Sequence, residues 1–137
     1  MHRAALLAIV VSTPLLMAVA PMHAPIVITG DLGTARQNPE LCHVRLGMTL
    51  SEPAVGAVIL NLRVNFGTGM QSENVRLLPN IPGQWTWHDV LFHGDCANPV
   101  SQPVIHVQEA VCATWVKYVD CLPQVAIKPG TASLQIP

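Results

Sequence analysis

The chain has 137 residues, a formal net charge of −1, and only 11% charged residues against 50% apolar ones. Typical soluble domains carry roughly 25% charged residues. The basic side chains that follow the N-terminal segment (Arg36, Arg45, Arg63, Arg76, Lys117 and Lys128) stand singly, which leaves no electrostatic footprint for nucleic acid or for an anionic membrane surface.

The first residues read as an export leader. Met1, His2 and Arg3 precede an apolar run over residues 4–20, and small residues follow at Ala18, Ala20 and Ala24. This is the charged, apolar, small-residue order of a signal peptide. Both small-x-small sites, ending at Ala20 and Ala24, are followed by proline (Pro21 and Pro25), a poor first residue for a peptidase to leave behind. A retained N-terminal anchor is therefore the alternative, since residues 4–20 reach the lower limit of about 17 residues for a bilayer span, with Pro14 inside it. Residues 1–24 are assigned to signal peptide or anchor and residues 25–137 to one exported domain, periplasmic or secreted. Membrane contact is expected only if the anchor is retained.

Export fixes the meaning of Cys42, Cys96, Cys112 and Cys121. An even set in an exported chain of this size reads as two disulfides. Cys112–Cys121 would close a short local loop, leaving Cys42–Cys96 to tie the start of the domain to its middle. This pairing is preferred among the three possible. No Cys-x-x-Cys occurs to favour a redox or metal role.

The elements follow in chain order. Residues 26–29 are a β-rich run ended by Gly30, and a polar loop spans residues 31–40. Residues 41–49 alternate, with Cys42, Val44 and Leu46 on one face and His43, Arg45 and Gly47 on the other. Residues 57–66 form the clearest strand, Leu60, Leu62, Val64 and Phe66 sharing a face. Gly67-Thr68-Gly69 is a turn without the third glycine of a dinucleotide fingerprint. A short strand over residues 74–78 and a Pro/Gly loop over 79–83 come next.

Two segments admit both readings. In residues 85–93, Thr86 could cap a helix stopped by Gly94, yet aromatic and β-branched residues favour a strand with Trp85, Trp87, Asp89, Leu91 and His93 on one side. In residues 104–119, Val104, Val107, Val111, Trp115 and Tyr118 approximate a helical stripe, while composition favours a hairpin closed by Cys112–Cys121. Residues 125–128 and 132–136 supply a last pair of short strands. Eight or nine short strands between Gly/Pro/Asn turns predict a mainly β fold. The expectation is a single antiparallel β-sandwich of immunoglobulin-like architecture, with the Cys42–Cys96 bridge joining two strands and a tryptophan against it.

No Gly-x-Ser-x-Gly, His-Glu-x-x-His or Ser-x-x-Lys marks the exported part, and Asp89, Asp95 and Glu109 stand isolated. The chain is read as a non-enzyme with no implied cofactor. The leading functional expectation is a non-catalytic binding or structural module of the cell envelope that acts through a protein partner or envelope assembly, with edge strands as the contact surface. One alternative is copper or zinc binding by His43, His88, His93 and His106, since neutral imidazole suits both metals; on a strand, His88 and His93 would face opposite sides. Another is a carbohydrate platform formed by Trp85 and Trp87, with Tyr118 a further candidate.

Overall fold

The computed structural model describes residues 26–33, 40–51, 56–67, 69–79, 81–96 and 102–137. The expected leader over residues 1–24 and most of the loop expected over residues 31–40 lie outside them. Nine strands are described: β1 (Ile26–Leu32), β2 (Leu41–Leu50), β3 (Ala57–Asn65), β4 (Met70–Leu77), β5 (Thr86–His93), β6 (Val104–Ala113), β7 (Tyr118–Asp120), β8 (Val125–Ile127) and β9 (Ser133–Gln135). They form two packed sheets. Sheet A runs β5-β2-β1-β8 and sheet B runs β4-β3-β6-β7, with β9 also paired to β6.

The period-two pattern of the sequence decides which side of each strand is buried. Cys42, Val44, Leu46, Met48 and Leu50 of β2 face Val58, Leu60, Leu62 and Val64 of β3 across a nearly all-aliphatic core. Ile26 and Ile28 of β1, Val90 and Phe92 of β5, and Ile105, Val107, Ala110 and Cys112 of β6 complete it. Both ambiguous segments are strands. Residues 104–120 form the β6–β7 hairpin, with Cys112 opposite Val119.

Several details differ from the sequence reading, and β4 begins at Met70 rather than near residue 74. Gly30 does not end β1, because it pairs with Leu46 and the strand continues through Asp31 and Leu32. The last two short strands are present, but they depart from the expected antiparallel pairing. β8 runs parallel to β1 and β9 runs parallel to β6, so the intervening residues cross from one sheet to the other and the sandwich is not purely antiparallel. Finally, the aromatic ring nearest in register to the Cys42–Cys96 bridge is Phe92, directly opposite Cys42. Trp87 lies opposite Gly47 on the other face of sheet A, so no tryptophan of β5 packs against the bridge.

The disulfides pair as expected, Cys42 with Cys96 and Cys112 with Cys121, which fits an oxidising, exported environment. No helix among the described residues is long and apolar enough to cross a membrane. Sequence separations of 54 and 9 residues give, in the chain-entropy view, stabilisations of about 4 and about 2.5 kcal/mol. Replacing both members of each pair by alanine should therefore cost more for Cys42/Cys96 than for Cys112/Cys121. Urea unfolding of the two double variants measures the difference.

Candidate tryptophan platform on the outer face of sheet A

The alternation that sends Cys42, Val44 and Leu46 inward sends His43, Arg45, Gly47 and Thr49 to the outer face of β2. β5 pairs with β2 so that Trp87 lies opposite Gly47, Asp89 opposite Arg45 and Leu91 opposite His43. The outer faces of the two strands together build one surface.

Two indoles cover part of it. Trp85 and Trp87 stack with ring centroids 5.8 Å apart and planes inclined by 24°. Trp87 lies flat over Gly47, where an added Cβ would fall 2.5 Å from the ring; only glycine leaves room for this approach. Each ring has a cation against it. The Arg45 guanidinium carbon is 4.8 Å from the Trp87 ring centroid and the Lys128 ammonium 5.3 Å from that of Trp85. Such contacts contribute about 0.5–1 kcal/mol at exposed sites. Trp87 remains 42% exposed, and Leu91, beyond Asp89 on the same face, is also exposed.

Next to the indoles, the His43 ring is buried and its Nε2 lies 3.2 Å from Oδ1 of the exposed Asp89 carboxylate. The ring packs on Gly33, where a Cβ would lie 2.0 Å from Nδ1. Asp89, isolated in the sequence, thus has a partner on the neighbouring strand.

The free edge of β5 completes the surface. The Gly94 amide donates to the Glu40 carbonyl at 2.9 Å, so even-numbered residues of β5 turn their backbone groups toward β2. Odd-numbered residues point the other way, as His93 shows: its amide donates to Gln71 Oε1 at 2.8 Å and its carbonyl accepts from Gln71 Nε2. The side-chain amide of Gln71 therefore caps this edge at its C-terminal end. Trp87, Asp89 and Leu91 direct their N–H and C=O groups outward, and among the described residues β5 has no strand on that side.

The candidate histidines are dispersed. His43 lies on the outer face of sheet A, while His106 pairs with the exposed Arg63 on the outer face of sheet B, with the whole sandwich between them. His88 lies opposite the inward-facing Leu46 at the rim, and His93 lies on the outer side of β5. As the strand reading requires, these two face opposite ways. Among the described residues no group of three or more His, Cys, Asp or Glu side chains is placed to hold a metal ion. Tyr118 stands apart from Trp85 and Trp87, at the start of β7 in the other sheet.

Sequence reasoning singled out both tryptophans but missed Arg45, Gly47, Lys128 and the Asp89–His43 pair. The register between β2 and β5 brings most of these together, and no local motif encodes it. Replacing Gly47 by alanine should lift Trp87 from the sheet and break the indole stack, at a cost of about 0.5–1.5 kcal/mol. A red shift of tryptophan emission together with a lower urea midpoint checks this.

No family model matches the chain, and neither a curated protein nor a solved structure matches it, so the reading of this surface rests on its own geometry.

Proposed function

We propose that this chain is an exported, non-catalytic binding module of the cell envelope, periplasmic or secreted, that engages a protein partner through the outer face and free edge of β5. The observation that carries the reading is the row of outward-facing backbone groups at Trp87, Asp89 and Leu91, flanked by the exposed side chains of Trp87 and Leu91. An extended segment of a partner satisfies such a row by adding a strand, with backbone bonds supplying affinity and alternate side chains supplying specificity.

Comparison with the other edges supports this choice. β7, β8 and β9 have three residues each. β4 is long but presents mainly exposed polar residues, Glu73 and Arg76 among them. β5 has eight residues and contains no proline or lysine, two of the usual means of blunting an edge. Tryptophan and arginine beside it are residue types that dominate binding energy at protein interfaces. The stacking and cation contacts hold them in place before binding, which reduces the ordering cost of association.

Carbohydrate binding is the second reading, favoured by the partly exposed Trp85–Trp87 stack. Arg45 and Lys128 sit against the two rings and compete for the faces on which a sugar would stack. A saturable change in tryptophan emission on adding an oligosaccharide would favour this alternative.

Proline at position 91 tests the protein-partner reading, because the Leu91 amide points away from β2 and proline is tolerated where an edge amide faces solvent. Leu91→Pro should keep both disulfides and a cooperative melt, yet lose about tenfold or more in affinity for the partner captured by wild-type protein in the exported fraction. In the wild-type complex, amide exchange at Trp87, Asp89 and Leu91 should slow. Full binding by a folded Leu91→Pro protein would overturn the proposal.

A further inference from the structure

The end of the sandwich that carries the β6–β7 turn is apolar. Trp115 is 90% exposed, Val116 86% and Tyr118 69%. Leu78 and Ile81, in the β4–β5 connection, are exposed as well. These residues share one end because of the topology. Ala57 at the start of β3 pairs with Ala113 at the end of β6, and Val58 pairs with Leu77 at the end of β4. With β3 between them, the ends of β4 and β6 lie about 9–10 Å apart. The β4–β5 connection is tied to the same end by the Gly83 amide, which donates to the Leu50 carbonyl at 2.9 Å. Across the described residues of the β4–β5 connection and of the 114–117 turn, Lys117 is the one charged side chain.

The tip is held rather than loose. The Thr114 amide donates to the Lys117 carbonyl at 2.8 Å. The Thr114 hydroxyl donates to the same carbonyl at 2.8 Å and accepts from the Lys117 amide at 3.1 Å. Two residues before Thr114, the Cys112–Cys121 disulfide clamps the base of the hairpin. Indole and aliphatic side chains are thus presented to solvent on a short, braced turn, although nothing in the core requires them there.

The path of the chain indicates what covers them. Ile26 begins β1 opposite Leu50 and beside Val125, so the chain that carries the apolar run over residues 4–20 joins the described domain at this same end. Tryptophan, tyrosine and lysine are the residues that settle at the boundary between lipid headgroups and acyl chains, with aliphatic neighbours reaching deeper. We infer that this end of the sandwich rests on a lipid bilayer, with Trp115 and Val116 inserted at the headgroup–acyl boundary. Because Lys117 alone supplies charge on these two connections, attachment is driven by apolar burial and works on a zwitterionic surface. The β5 edge at Trp87, Asp89 and Leu91 runs away from this end along the other sheet and stays free to engage a partner.

Quenching by brominated lipid tests the inference on the full chain. Vesicles of phosphatidylcholine brominated on the acyl chains are added to wild-type protein and to Trp115→Phe, and the difference in emission isolates the indole at position 115. Strong quenching of that difference signal is expected, unchanged in the Leu91→Pro background, so that the result is separable from the outcome for β5. If the apolar run over residues 4–20 alone holds the protein to the vesicle, the Trp115 signal stays unquenched, and the inference is overturned. A Trp115 signal that ignores vesicles but responds to the captured protein partner would reassign this end to a protein contact and overturn it equally.

Discussion

The register of β2 between β1 and β5 is the constraint on which the rest of the structure depends. Its even-numbered residues Cys42, Val44, Leu46, Met48 and Leu50 are all buried in the core, and its odd-numbered residues form the bed of the tryptophan platform. A slip of one residue would exchange the two sets, sending Arg45 into an aliphatic interior and Leu46 into solvent. The Cys42–Cys96 bridge opposes such a slip by fixing Cys42 to the segment that leaves β5. One covalent link thus maintains both the core and the outer surface.

The C-terminal segment provides a second fixed point by leaving one sheet for the other. Beyond β8, the Lys128 amide donates to the Ile28 carbonyl at 2.8 Å and the Ala132 amide to the Gly30 carbonyl at 3.0 Å. The Thr131 amide donates to the Asp31 carboxylate at 2.9 Å, and the Thr131 hydroxyl accepts from the Leu32 amide at 2.8 Å. These bonds fasten the crossing segment along β1, and the same path carries Lys128 to Trp85. Closing the sandwich and completing the platform are therefore consequences of one chain path.

The sandwich, the pairing of the cysteines and the inward residues of β2 and β3 were legible in the sequence, because each rests on strict alternation or on cysteine arithmetic. β6 was less legible for a local reason. Its register against β3 shifts between Asn61 and Leu62, where Glu109 and then Val107 are the partners, so Gln108 is an extra residue. The bulge changes parity, and the buried Val107 and Ala110 fall three apart, a spacing that imitates a helix. β5 was blurred differently, since apolar Trp87 and Leu91 on its outer face erase the contrast with Val90 and Phe92 inside. The parallel pairings of β8 and β9 and the cations on the indoles depend on contacts distant in sequence, which alternation does not encode.

Scarcity of charge makes the placement of each charged group informative. On the outer face of sheet A the charged side chains have definite partners: Arg45 on Trp87, Lys128 on Trp85, Asp89 with His43, and Asp31 with Thr131. Groups held this way present a fixed pattern, and a fixed pattern discriminates between partners by leaving a wrong one with unpaired polar groups. The described residues of the turn and loop around Trp115 and Ile81 offer few directional groups to a ligand, chiefly Lys117 and the exposed Gln84 among apolar area. Apolar burial is non-directional, so such an end gains equally from any surface that removes it from water, and a fluid bilayer meets that requirement without shape matching. The contrast between a patterned face and an unpatterned end is the physical ground for assigning them to different kinds of contact.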